Sequence, residues 1–306
     1  MNVSKLLVVD KSVFHALYQC DDKLCAFVKK YNVVLPDALA VECLISENQD
    51  LSKNPEKLLR GLDKAIKAGA NIGYSSFKLF QLEKTTLCPA KLIVDESTTK
   101  RIRNGTLNTE ANFIKQEAAC CRKTFEPIIN SLLKIAGVLY KNLCKQDELA
   151  VAVRKVENRI RRFENWIDVT DQKMKDIISH LFSEQIGSHA DANWFLWQRS
   201  RLYFAYSLDL MFKKNLPGSC VKKDISNDFY DIEPVLYLSR ADGLLTNDKK
   251  LQVPLAKAAF PAKEAFVVNT SLSNSRTVQH VFDDIDSKIP ASYRFVNGKN
   301  KKGHKG

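Results

Sequence analysis

The sequence predicts an α/β protein, with a parallel sheet made by the two ends of the chain and a large, mainly helical insertion between them. Short, apolar, β-rich runs lie near each end: KLLVVD at 5–10, NVVL at 32–35, GLLT at 243–246 and EAFVV at 264–268. Continuous apolar runs of that length, bounded by turn residues, read as strands covered on both faces. The residues between them keep a helical period over most of their length. Asp10 closes the first run and Asp248 follows the third, and in open α/β sheets ligands and catalytic groups gather beyond the carboxyl ends of the strands.

With 306 residues, of which 45% are apolar, the chain is long enough to bury a large core as one elaborated domain or two. No stretch reaches eighteen uncharged apolar residues, so no transmembrane helix is expected. The chain starts directly with a strand and shows no basic-then-apolar leader, so secretion is not expected. The eight cysteines, Cys20, Cys25, Cys43, Cys88, Cys120, Cys121, Cys144 and Cys220, form no CxxC pair. A structural zinc site is therefore not expected, and the scattered thiols suit a reducing cytoplasm. The formal net charge of +12 favours an anionic partner, nucleic acid ahead of membrane.

The N-terminal part, residues 1–46, opens with the strand ending at Asp10. Ser12 can cap the following helix, whose apolar side is Val13, Phe14, Leu17 and Tyr18. A second helix over Lys23–Lys30 groups Leu24, Phe27 and Val28. After NVVL, Pro36 suits a first helical turn because its missing N–H has no intrahelical use there. The helix it opens buries Leu39, Cys43 and Leu44 and carries Glu42.

Residues 47–223 read as the insertion. KNPEKLLRGLDKAIKAG, with Pro55 near its start and Gly69 at its end, is a helix. SFKLFQL and AKLIV, within 72–95, read either as short strands or as buried helical pieces. Asp95 and Glu96 copy the strand-then-carboxylate pattern, but ESTTKRIRNG after them reads as a polar loop, so they are set aside. Phe125 to Leu143 keep a helical period. From Leu149 to Ile167, apolar residues at alternating steps of four and three form a coiled-coil-like seam. Its other side carries Arg154, Arg159, Arg161 and Arg162, either a solvated face or one that tracks phosphates. Ser188 and Asp191 offer a cap for ANWFLWQRSRLYFAYSLDLMF, an aromatic helix that reads as a central core helix rather than a base-stacking surface.

The C-terminal part, residues 224–297, holds NDFYDIEPVLYLSRADGLLTNDKKL, a helix–turn–strand with Asp228, Asp231, Asp242 and Asp248. A last strand at 264–268 and a closing helix, SNSRTVQHVFDDIDSKI, follow. The basic tail, 298–306, has nothing to bury and is expected to be disordered. Aspartate at a helix start caps backbone N–H groups, and aspartate after a strand starts a turn, which accounts for Asp228 and Asp242. No histidine spacing suits a metal, no Ser or Cys nucleophile motif is present, and no Gly-rich phosphate loop occurs.

Asp10 after the first strand, Glu42 on the helix after the second, and Asp231 seventeen residues ahead of Asp248, itself within TND, form an ordered set. In that order the set resembles the PIN-domain family of metal-dependent ribonucleases. The likeness covers roughly residues 3–46 and 224–268 and departs from the family in the length of the insertion. It implies a Rossmann-like parallel sheet and a catalytic, metal-holding set of Asp10, Glu42, Asp231 and Asp248. Ser12, Asn227, Asp228, Asp242 and Thr246 are candidates to orient water or those carboxylates. Oxygen-only ligands select hard ions, so Mg²⁺ or Mn²⁺ is the implied cofactor. The implied activity is endonucleolytic hydrolysis of RNA leaving a 5′-phosphate, in a toxin or defence effector held in check by an antitoxin-like inhibitor. Two other readings stay open: a non-catalytic RNA-binding or scaffold protein that keeps the fold, and a structure-specific DNA nuclease.

Overall fold

The computed structural model of the chain describes residues 4–40, 55–91, 93–105, 112, 116, 119–120, 123, 125, 127–134, 171–214, 225–270 and 276–295. Five strands, β1 (Leu6–Val9), β2 (Asn32–Leu35), β3 (Asn71–Ile72), β4 (Gly243–Thr246) and β5 (Glu264–Val267), form one sheet in the order β3-β2-β1-β4-β5. Every pairing is parallel. The class is therefore α/β, as the apolar runs at the two chain ends require.

Side chains alternate across the sheet, and both faces are covered. Leu7, Val9, Val33, Leu35 and Leu245 turn to one side. There they meet helices α1 (Lys11–Leu17), α2 (Asp21–Lys30) and α3 (Pro55–Ala68). Val8, Val34 and Leu244 turn to the other, against Leu79 of α4 (Ser76–Thr86). Ile102 of α5 (Glu96–Asn104) returns to the first face. Strands buried on two faces have no polar alternation, which is why LLVV, NVVL and GLLT read as unbroken runs. Beyond them, Met174 and Ile178 of α6 (Asp171–Leu181) pack with Ile186 of α7 (Glu184–His189) in a smaller cluster that includes Trp194 and Trp197.

The second face is completed by α8 (Phe195–Lys214), α9 (Ile225–Leu236) and, after β4, α10 (Gln252–Ala259); α11 (Arg276–Lys288) closes the first face. Trp194, Phe195, Trp197, Tyr203, Phe204 and Tyr206 are all buried. The aromatic helix is thus a core element, as its all-round apolar pattern suggests. Inside it, Tyr203 donates to Glu233 of α9 at 2.6 Å, and the Arg199 guanidinium lies 4.9 Å from the Tyr203 ring. Burial pushes the Glu233 carboxyl upward, and the Arg199 charge and the Tyr203 hydroxyl pull it back.

Three features depart from the sequence reading. ESTTKRIRNG is not a polar loop: Asp95 caps it by accepting the Thr98 N–H at 2.9 Å, and Ile102 is buried. Arg103 then donates to the carbonyls of Ile66, Gly69 and Ala70, closing the C-terminal end of α3 beside Gly69, whose φ of 131° only glycine adopts easily. Of the two readings left open for SFKLFQL, the structure takes the helical one, within α4, while Val94 makes an isolated antiparallel bridge to Gly73. Residues 71–72, assigned in the sequence to the insertion, supply a fifth strand, so the sheet continues past residue 46. Finally, α8 is not capped by Ser188 and Asp191. Glu83 accepts the N–H groups of Phe195 and Leu196 instead.

Candidate functional site

The strand order sets the location. From β1 the chain builds outward to β2 and β3 on one side, then returns through α9 to β4 on the other. The order reverses between β1 and β4, and the crevice beyond the carboxyl ends of such a pair is where open α/β sheets bind ligands. Asp10 directly follows β1, and Thr246 ends β4 with Asn247 and Asp248 after it. The Asp10 N–H donates to the Leu245 carbonyl at 2.9 Å, so both segments leave the sheet together at one edge.

Asp10 is 5% exposed, and three described side chains meet around it. Its Oδ2 accepts the Ser12 hydroxyl at 2.6 Å and the Ser12 N–H at 3.2 Å, which caps α1. Its Oδ1 accepts Gln252 Nε2 at 3.0 Å. Thr246 Oγ1 lies 3.4 Å from Oδ2 but only 2.5 Å from Gln252 Oε1, so its single proton goes to the glutamine. The same oxygen accepts the Asp248 N–H at 2.9 Å. Asp248 in turn takes the N–H groups of Lys250 (2.8 Å), Leu251 (3.0 Å) and Gln252 (3.3 Å), holding the first turn of α10. Asn247 is tied from both sides. Its N–H donates to Ser12 Oγ at 3.3 Å, and its Nδ2 to Thr270, just past β5, at 2.6 Å.

The structure therefore brings Asp10, Ser12, Thr246 and Asp248 together. Asp231 is exposed on α9, whose inner side buries Ile232, Glu233, Val235 and Leu236. Asp228, also on α9, accepts the Tyr206 hydroxyl of α8 and serves that packing. Asp242 is a correction to the candidate set. It precedes β4 and accepts the Leu6 N–H at 2.8 Å, which puts it at the amino edge, opposite Asp10. Glu42, the side chain of Asn227, and Arg154, Arg159, Arg161 and Arg162 lie outside the described residues. Among the described residues, no three His, Cys, Asp or Glu side chains stand close enough to hold a metal ion.

Two participants escaped the sequence reading. Gln252 is 1% exposed and joins both aspartates. Its signal was present: it shares an i, i+3, i+4, i+7 stripe with Leu255, Ala256 and Ala259, where a buried polar side chain needs a partner. Tyr237 is the other. Its hydroxyl accepts the Asp37 N–H at 3.2 Å and donates to the Tyr74 carbonyl at 2.6 Å. That fixes the start of the helix after β2, the one on which the sequence puts Glu42.

No protein-family model, curated protein or solved structure matches the chain. No described helix is long and apolar enough to cross a membrane.

Proposed function

We propose that the chain is a Rossmann-like, PIN-like, metal-dependent ribonuclease whose centre forms beyond the carboxyl ends of β1 and β4. The observation that carries the reading is the meeting of Asp10 and Asp248 through Thr246 and Gln252 at the point where strand order reverses. An all-parallel sheet in the order 3-2-1-4-5 supports a Rossmann-like assignment.

The donor chemistry fits Mg²⁺ or Mn²⁺, since both aspartates offer only oxygen. Among the described residues Asp10 Oδ1 is held by a single N–H, that of Gln252, and a carboxylate oxygen has a second lone pair. Asp10 and Asp248 would hold the ion, with Glu42 and Asp231 as further ligands on the strength of the family resemblance. When bound, such an ion lowers the pKa of a water and offsets charge building on a phosphoryl oxygen. The chain's own residues do the rest. Ser12, Thr246 and Gln252 hold the Asp10 carboxylate in one orientation, which keeps it an acceptor. Lys249 and Lys250, exposed beside Asp248, present positive charge to a phosphate backbone.

A second reading has its own observation. Asp10 and Asp248 both cap helices, so a non-catalytic RNA-binding protein would also keep them. Incubation with single-stranded RNA, duplex RNA and DNA, with Mn²⁺ and with EDTA, separates these. Mn²⁺-dependent RNA cleavage with 5′-phosphate ends supports the nuclease, and RNA binding without cleavage supports the second reading. Cleavage of DNA alone would move the substrate assignment.

A further inference from the structure

Gln252 is the one described side chain that touches the Asp10 carboxylate and whose own backbone N–H reaches Asp248. The directions of its hydrogen bonds are fixed. Thr246 Oγ1 accepts from the Asp248 N–H, so its proton points elsewhere, and the 2.5 Å contact is with Gln252 Oε1. With Oε1 used as acceptor, Nε2 faces Asp10 Oδ1 at 3.0 Å. Asp248 N–H, Thr246 O–H and Gln252 N–H thus form a one-way chain that ends on Asp10. Gln252 and Thr246 are 1% and 0% exposed, and Asp10 is 5% exposed, so little water competes for these bonds.

Resting on the metal-dependent reading above, we infer that Gln252 is a positioning residue that sets the orientation of Asp10 and its spacing from Asp248, with Thr246 as the relay between them. A glutamine in the apolar stripe of α10 costs burial of an amide that a leucine or methionine would not, and its two side-chain hydrogen bonds, with Thr246 and Asp10, offset that cost. What apolar packing cannot replace is an N–H aimed at one oxygen of Asp10. Groups that orient metal-holding carboxylates or imidazoles characteristically change metal affinity or activity by about 10–100-fold when removed.

The test compares the full chain with Gln252→Met, which keeps length and apolar fill, and with Thr246→Val and Thr246→Ser. Binding of Mn²⁺ alone is read from the loss of the free-ion electron paramagnetic resonance signal, and RNA cleavage is resolved into kcat and KM. Gln252→Met and Thr246→Val are expected to weaken Mn²⁺ binding by about 10–100-fold and to lower kcat with KM nearly unchanged. Thr246→Ser, which keeps the hydroxyl, stays close to the parent in both. Circular dichroism confirms that each variant is folded. A folded Gln252→Met protein that binds Mn²⁺ like the parent overturns this inference and leaves the metal reading standing. A parent protein that binds no Mn²⁺ overturns both. If Gln252→Met fails to fold, Thr246→Val against Thr246→Ser decides: equal Mn²⁺ affinity in the two overturns the relay.

Discussion

Glu83 on α4 accepts the backbone N–H of Phe195 at 2.7 Å, although 112 residues separate them. Its other oxygen takes the Leu196 N–H at 2.8 Å, and the Ala90 N–H joins at 2.9 Å. A fully buried carboxylate thus caps the central aromatic helix and pins the 83–90 turn to it. Arg240 secures the same junction by donating to the Ala90 carbonyl at 2.8 Å. Each buried N–H left without an acceptor costs about 1–3 kcal/mol. Glu83→Ala is therefore expected to lose at least about 3 kcal/mol in urea unfolding, and Glu83→Gln less, since it keeps one acceptor oxygen. A loss within the roughly 0.5 kcal/mol of an ordinary surface substitution would mean the cap is not formed in solution.

Gly73 and Tyr237 make a second checkable contact. A Cβ on Gly73 would lie 2.1 Å from Tyr237 Cε1, and the ring cannot retreat without releasing the Tyr74 carbonyl and the Asp37 N–H. Gly73→Ala should cost about 1–3 kcal/mol, as other overpacking does. Pairing it with Tyr237→Leu should recover part of that loss, a coupling a double-mutant cycle reads directly. Strict additivity would show that the two residues do not meet as described.

At the amino edge of the sheet, Asp286 of α11 accepts the Tyr31 hydroxyl at 2.6 Å and pairs with Lys30. Burial pushes its carboxyl up, but the Lys30 and Tyr31 hydrogen bonds outweigh that and hold it below the ordinary aspartate range. A carboxyl whose folded pKa is depressed adds stability above its unfolded pKa of about 3.9 and loses it as pH falls through the folded value. Asp286→Asn should accordingly lower the melting temperature at neutral pH, with the gap to wild type closing as the pH drops below that range. A gap that stays constant down to the acid transition would assign the effect to shape rather than charge.

Much of the sheet was legible because burial on both faces leaves an uninterrupted apolar signature in Leu6–Val9, Val33–Leu35 and Gly243–Thr246. The two-residue strand Asn71–Ile72 carried too short a pattern to register. Helix α5 was hidden for a different reason. Its buried face is Thr98, Thr99 and Ile102, and two threonines read as loop until their partners are known: Thr98 bonds Asp95, and the Ile72 N–H donates to Thr99 at 3.0 Å. Asp10 and Asp248 were readable as strand-end carboxylates, and the Thr246 hydroxyl falls where TND suggested. Glu83 was not, because its partner, the start of α8, is distant in sequence; the stripe of α10 marks Gln252 as a buried polar side chain, but not its equally distant partner Asp10. No local period encodes such contacts.

A metal-dependent centre beyond β1 and β4 requires the Asp248 carboxylate. Asparagine at that position keeps one oxygen for the Lys250 and Leu251 N–H groups and caps a helix about as well as aspartate, so the fold should survive the change. Melting temperatures of wild type and Asp248→Asn are to be measured with and without Mn²⁺, alongside RNA cleavage. An ion that binds only the folded state adds stability by mass action, so Mn²⁺ should raise the wild-type melting temperature clearly and the variant's little, while cleavage is lost. Equal Mn²⁺ shifts in the two proteins, with cleavage retained by Asp248→Asn, would contradict a metal-dependent centre between β1 and β4.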